Sequence, residues 1–99
     1  MSTLHILAHS PFADSRLASC LRLLSGDDGL LLCGDAVYAL QHGTRMSQAL
    51  ELMPASISLY ALQEDVQARA MELPERVQCI DYPQFVALTL HYVKVNSWL

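Results

Sequence analysis

The sequence predicts an α/β domain built on a largely parallel sheet. Three observations lead there. Short apolar runs of strand length alternate with helix-period segments along the whole chain. One of those runs, Leu30 to Cys33, is apolar without a break, as suits a central strand covered on both faces. The chain is 99 residues long and shows no internal repeat, low-complexity tract or linker, so residues 1–99 form one domain.

The elements follow in order. Leu4 to Ala8 is the first strand. Ser10 and Pro11 then offer a helix cap and a first-turn proline. The pattern is helical from Asp14 to Leu24, with Leu17, Cys20, Leu21 and Leu24 on one stripe and Arg16, Ser19 and Arg22 opposite. Leu23 falls off that stripe and is a candidate for contact with a partner. Asp27-Asp28-Gly29 reads as a turn before the strand Leu30 to Cys33. Gly34-Asp35 breaks the strand, and Asp35 is placed to cap a helix over Ala36 to Gln41, which His42-Gly43 stops. A further short helix spans Thr44 to Met53 and ends at Pro54. Ile57 to Leu62 is the third strand, and Glu64 and Asp65 fall in the first turn of the helix after it, where negative charge complements the helix dipole. That helix is expected to end near Leu73-Pro74, before a fourth strand at Val77 to Ile80.

Asp81-Tyr82-Pro83 opens the last helix, Gln84 to Val93. It is apolar almost all round, through Phe85, Val86, Leu88, Leu90, Tyr92 and Val93. One stripe would satisfy the sheet, so the excess implies a second covered face. The tail Lys94 to Leu99 carries Trp98, which is either tucked against its own domain or used as an anchor on a neighbour. Leu23, Phe85, Tyr92 and Trp98 are therefore the expected contact residues.

Composition points the same way. Hydrophobic residues make up 53% of the chain and charged residues only 16%, against about 25% charged in an average globular chain. A small domain of that make-up is expected to cover part of its apolar surface with a partner. The net charge is −4, with six lysines and arginines, too few for the positive stripe that direct nucleic-acid binding needs or for polybasic membrane attachment. No apolar run reaches the roughly 18 residues of a membrane span. Met1-Ser2-Thr3-Leu4-His5 lacks the basic leader of a signal peptide. Three cysteines, none in CxxC spacing, argue against a disulfide framework or a zinc site and fit a reducing, cytoplasmic setting.

The carboxyl ends of parallel strands are where such sheets bind ligands, and here they carry His9, Cys33, Asp35, Glu64, Asp65 and Asp81. Cys33, beside a glycine and a helix start, could be a lowered-pKa thiolate with His9 as its base. The competing reading is the buried end of an apolar strand. Cys20, on the flank of its helix stripe, could be partly exposed or lie under a neighbouring subunit, and its competing reading is also packing. Cys79 lies mid-strand and is given no role. His5, His9, His42 and His91 show no ligand spacing, so no metal site is expected. GxGxxG and P-loop motifs are absent, and no cofactor is implied.

Leu4-His5, His9-Ser10-Pro11-Phe12, Leu21-Arg22-Leu23-Leu24 and Leu30-Leu31-Leu32 with Gly34-Asp35-Ala36-Val37-Tyr38-Ala39 form one set of pieces. Tyr60-Ala61-Leu62-Gln63-Glu64-Asp65 with Ala68-Arg69, Ile80-Asp81-Tyr82 with Phe85-Val86, and Lys94-Val95 with Ser97-Trp98 form another. In this order and spacing the chain resembles, from end to end, the TusB/DsrH family of sulfur-relay proteins. The resemblance implies a three-layer α/β/α, DsrE/F-like fold with a sheet of four to five strands. It implies a heterohexamer with TusC-like and TusD-like sister subunits. That assembly would hand persulfide sulfur to a downstream TusE-like carrier and finally to the 2-thio group of modified uridine at the tRNA wobble position. The principal sulfur-carrying cysteine would belong to the TusD/DsrE sister, leaving this chain architectural rather than catalytic. The alternative within the family is a DsrH-like subunit of a sulfur-oxidation complex, with Cys20 as an accessory thiol and Cys33 the weaker candidate.

Overall fold

Residues 2–98 are described by the computed structural model; Met1 and Leu99, the two ends of the expected domain and tail, lie outside the described residues. Five strands form, β1 at Thr3–Leu7, β2 at Gly29–Leu32, β3 at Ser58–Leu62, β4 at Val77–Ile80 and β5 at Lys94–Trp98. All pairs are parallel and the sheet order is β4-β3-β2-β1-β5. The connections are α1 (Arg16–Leu23), a 3₁₀ segment (Gly34–Leu40) leading to α2 (Arg45–Glu51), α3 (Gln63–Ala68) and α4 (Tyr82–His91).

Period-2 alternation divides the core between the faces of the sheet. Leu7, Leu30, Leu32, Leu59, Ala61 and Val77 point to one face, where they meet Leu17 and Cys20 of α1, Val37 and Leu40 of the 3₁₀ segment, Leu50 of α2 and Val66 of α3. Leu4, Leu31, Tyr60 and Ile80 point to the other and meet Tyr92, with Phe85 and Leu88 of α4 half-buried beside them. The expected fold class therefore holds, with helices on both faces and five strands. β2 is buried at every position, as its unbroken apolar run implies. Right-handed crossovers explain the distribution. The chain steps outward from β1 to β4 on the first face, then returns across the second through α4 to set β5 beside β1.

Local chemistry sets the element ends, in places against expectation. Ser10 does not cap α1. Its carbonyl accepts from the Ala13 N–H at 3.2 Å and its hydroxyl from the Phe12 N–H at 3.2 Å, closing a turn around Pro11. The helix begins later, where the Asp14 carboxylate accepts the Arg16 N–H at 3.0 Å. Asp35 caps nothing either: Gly34–Leu40 tightens into 3₁₀ geometry with Asp35 inside it, and the Asp35 carboxylate turns to Arg69. Thr44 caps α2 by accepting from the Ser47 N–H at 3.1 Å. Asp81 and Gln84 form a reciprocal capping box on α4, with Pro83 in its first turn. The helix after β3 ends at Ala68, well short of Leu73. Ala70 adopts φ +49° and the Met71 N–H returns to the Val66 carbonyl at 3.2 Å, a left-handed stop that residue periodicity does not register.

Candidate functional site

The carboxyl edge of the sheet is assembled around Gly34. Its φ is +52°, and a Cβ there would lie 3.0 Å from the Ala8 carbonyl oxygen, so glycine lets the chain turn tightly against the end of β1. That turn fixes Cys33, whose backbone N–H donates to the Leu7 carbonyl at 2.9 Å and whose thiol donates to the same oxygen at 3.4 Å. The Gly34 N–H donates to Asp65 Oδ2 at 2.8 Å. Arg69 reaches Asp35 at 2.7 Å, donates to the Asp65 carbonyl at 3.1 Å, and lies 5.6 Å from the centre of the Tyr38 ring. Cys33, Asp35 and Asp65 are thus brought together as expected from the sheet topology, and Arg69 and Tyr38, which the sequence assigns no role at this edge, join them.

The electrostatics of this edge oppose a reactive thiolate. Burial pushes the Cys33 thiol up, and the nearby Asp65 carboxylate pushes it further. Among the described residues no hydrogen bond links Cys33 to His9, which is exposed. Asp81 is engaged in capping α4, and Glu64 stands exposed in the first turn of α3. No group of three or more metal-ligating side chains occurs among the described residues.

Cys20 sits elsewhere and takes the packing alternative, not the partly exposed one open to a stripe flank. It is fully buried under α1 against the sheet. Its thiol is pushed up to about 12, first by burial and then by Asp28. The sign follows: the folded state disfavours the Cys20 thiolate, so this group leaves stability untouched below about pH 8.5 and erodes it as pH rises above the range of a free thiol. Cys79 is exposed on the edge strand β4. On the folded chain at neutral pH, iodoacetamide is therefore expected to modify Cys79 first, Cys33 slowly and Cys20 only on denaturation. Peptide mass spectrometry over a time course checks the order, and Cys20 labelling as fast as Cys79 would refute it.

The more extensive feature is apolar. Helix α4 presents Phe85 and Leu88 to the sheet, while Tyr82, Val86 and Leu90 recur every fourth residue on its other side. Val86 is 59% and Leu90 82% exposed. No residue of α4 is fully buried, and none is Asp, Glu, Lys or Arg. Val95 of β5, in register with Leu4, extends the exposed apolar surface along the same face of the sheet. Of the expected contact residues, Leu23 is exposed and Phe85 is half-buried. Tyr92 is a correction: it turns inward, 8% exposed, because its ring packs on Leu4 and Leu31 and its hydroxyl meets that of Tyr60 at 3.1 Å. Trp98 takes the first of its two alternatives, tucked half-buried against its own domain. Tyr82, Val86 and Leu90 are absent from the expected contact residues, although their spacing of four is the signal that singles out this outward stripe.

The whole arrangement has known counterparts. Residues 9–95 match the family described as DsrH like protein. The chain is 39% identical over 97 residues to Protein TusB of Escherichia coli (strain K12 / DH10B), and 36% identical over 97 residues to Protein TusB of Salmonella typhimurium; each match covers 96% of this chain and 99% of the relative. The fold matches the crystal structure of the ychN protein from Escherichia coli with a TM-score of 0.76 at 24% identity, covering 99% of this chain and 100% of that one. It also matches MTH1491 of Methanobacterium thermoautotrophicum, a protein of unknown function, with a TM-score of 0.68 at 19% identity over 96% of each chain.

Proposed function

The chain belongs to the DsrH-like family, and we propose on that premise that it is an architectural subunit of a sulfur-relay complex. The observation that carries the reading is the near end-to-end match to TusB proteins. The uncharged outer side of α4 supports it, since an exposed apolar stripe of this kind is what a subunit lays against a neighbour. Its partners are TusC-like and TusD-like sister subunits in a heterohexamer, acting in the cytoplasm. The sulfur passes from a sister's cysteine persulfide, through a TusE-like carrier, toward 2-thiolation of the wobble uridine in tRNA.

In this role the chain is not the catalyst. Sulfur moves when a thiolate attacks the terminal sulfur of a persulfide, and the attacking thiol must be both ionised and reachable. Cys20 is neither, and Cys33 is held as a thiol by burial and by Asp65. The chain instead shapes and covers the space in which a sister's persulfide is kept from water and stray thiols. The sulfur-oxidation alternative with Cys20 as an accessory thiol would need α1 to lift off the sheet. Direct contact with tRNA is not part of the reading: of the six basic residues, Arg16, Arg69 and Arg76 are already engaged with carboxylates or carbonyls of the same chain.

Co-expression with the two sister subunits tests the proposal. The wild-type chain is expected to co-purify with both at equal stoichiometry by size-exclusion chromatography with mass detection. Leu90→Asp, which places a charge on an 82% exposed position and so spares the domain's own core, is expected to reduce recovery of the complex at least about tenfold, as loss of a central contact does. A wild-type chain that remains a stable monomer beside its sisters would sink the assembly reading.

A further inference from the structure

His5 is a histidine buried in an apolar domain, 5% exposed, on the face of β1 that α1 covers. The sulfur-relay reading gives it no work. Two groups meet its ring. The Trp98 indole Nε1–H donates to His5 Nδ1 at 3.1 Å. On the opposite edge, His5 Nε2 lies 3.6 Å from Asp28 Oδ2. The Asp28 carboxylate is itself buried and held in place, accepting the Thr3 N–H at 2.9 Å and the Ser25 N–H at 3.2 Å. An indole nitrogen can only donate, so Nδ1 must be the bare nitrogen, and the proton of the neutral ring sits on Nε2, facing Asp28.

We propose that His5 is a proton-controlled latch on the last strand: neutral, it holds Trp98 and with it β5; protonated, it lets go of Trp98 and binds Asp28 instead. The argument is one of donors and acceptors. A second proton can only go to Nδ1, where it turns the acceptor of the Trp98 bond into a donor and sets two N–H groups against each other. The same proton gives the ring a positive charge 3.6 Å from a buried carboxylate, so the cost of charging it is offset on the Asp28 side. The imidazole exchanges one partner for the other, which is why the domain can respond without unfolding.

The surroundings leave this exchange unopposed. From the turn before β2 comes Asp28, and from α1 comes Cys20, whose thiol lies in the field of Asp28 and stays protonated up to about 12. β2 brings Leu30 opposite His5 in register, and β5 brings Asn96. What the latch holds is an edge strand. Lys94 to Ser97 are exposed, and among the described residues β5 pairs with β1 alone. Trp98 is the side chain of β5 that packs into the core beneath α1.

The chain has a single tryptophan, so its indole reports on this contact alone. The test uses the full chain labelled with ¹⁵N, assembled with unlabelled sister subunits where these are needed for solubility. It is titrated between about pH 5 and 8, where imidazoles change charge. As pH falls, the Trp98 indole N–H resonance is expected to shift, and its exchange with water and that of the β5 amides to accelerate at least about fivefold. The midpoint should coincide with that of the His5 imidazole carbons. In His5→Gln, which keeps an acceptor but cannot titrate, these changes are expected to vanish. Should that variant fail to fold, the coincidence of midpoints in the wild type decides. An indole resonance and β5 amides that stay unchanged while His5 titrates, a His5 that does not titrate across the range, or a transition that persists in His5→Gln would each overturn the latch.

Discussion

Gly29→Ala is expected to cost the domain about 2–3 kcal/mol, the upper part of the range for overpacking a well-filled core. Gly29 opens β2 and is fully enclosed. A Cβ built on it would lie 2.4 Å from the Tyr92 hydroxyl oxygen, 2.6 Å from Tyr92 Cζ and 3.2 Å from Leu4 Cδ1. The tyrosine cannot simply step aside. Its ring is packed among Leu4, Leu31, Tyr60 and Ile80, and its hydroxyl is paired with that of Tyr60. Moving it would open the small cluster that fastens the end of α4 to the sheet. In a domain whose whole stability is of the order of 5–15 kcal/mol, the loss should appear plainly as a lower urea midpoint at unchanged slope. Combining Gly29→Ala with Tyr92→Phe is expected to recover part of it, because the hydroxyl is the nearest atom but Cζ remains too close. A midpoint within experimental error of wild type for Gly29→Ala alone would contradict this account of β2.

Arg76→Ala is expected to be comparably damaging, at about 2–4 kcal/mol. The guanidinium donates to the carbonyls of Leu50, Glu51, Met53, Pro54 and Ile57, all in the segment that closes α2 and leads into β3. The last carbonyls of a helix have no partners within it, and a cation placed there meets both the missing hydrogen bonds and the negative end of the dipole. Hydrogen bonds to a charged group are worth about 1.5–3 kcal/mol each when buried and less when wet. Several of these are partly exposed, so the total stays well below a simple sum. Arg76→Lys is expected to recover less than half, since an ammonium is a point donor that cannot span five oxygens as a planar fork does. Urea denaturation of the three proteins provides the comparison. Equal stability of the arginine and lysine forms would show that charge alone, and not the fork, holds the segment.

These two residues also mark where sequence reading stops. β2 is legible because burial on two faces writes itself as an unbroken apolar run, and the expected Val77 to Ile80 coincides with β4, whereas the exposed β5 reads in sequence only as a tail. The outward apolar excess of α4 was legible because no single face of a helix accounts for it. Gly29 read as part of a turn, whereas its glycine is required by a tyrosine that arrives from the far end of the chain. Asp28 read as a turn residue for the same reason, its partners Thr3 and His5 lying a strand away. Cys20 looked like the flank of a stripe because a helical wheel does not say how far the helix rolls on its sheet; in the fold Leu17 and Cys20 are its two buried contacts, with Leu21 and Leu24 outside them. Arg76 gave no periodic signal, since an arginine bound to backbone carbonyls needs no particular neighbour in the sequence. Tyr92 counts in sequence toward the all-round apolar excess of the last helix, yet its position one turn past Leu88 directs it inward.

The sheet order bears on how the molecule comes together. β1 and β5 are joined across almost the entire length of the chain, with His5 and Trp98 93 positions apart, whereas β1, β2 and β3 each pair with the next strand in sequence. Closing so long a loop costs the most chain entropy of any pairing in the sheet, and contacts of this separation slow the folding of domains rich in them. The four strands β1 to β4 and the helices on their first face can therefore condense as one unit. The return of β5, whose pairing closes the longest loop, is expected to complete the sheet last. The apolar stripe of α4 lies on the segment that leads into this late strand, so the surface offered to a neighbour is finished only when the domain itself is.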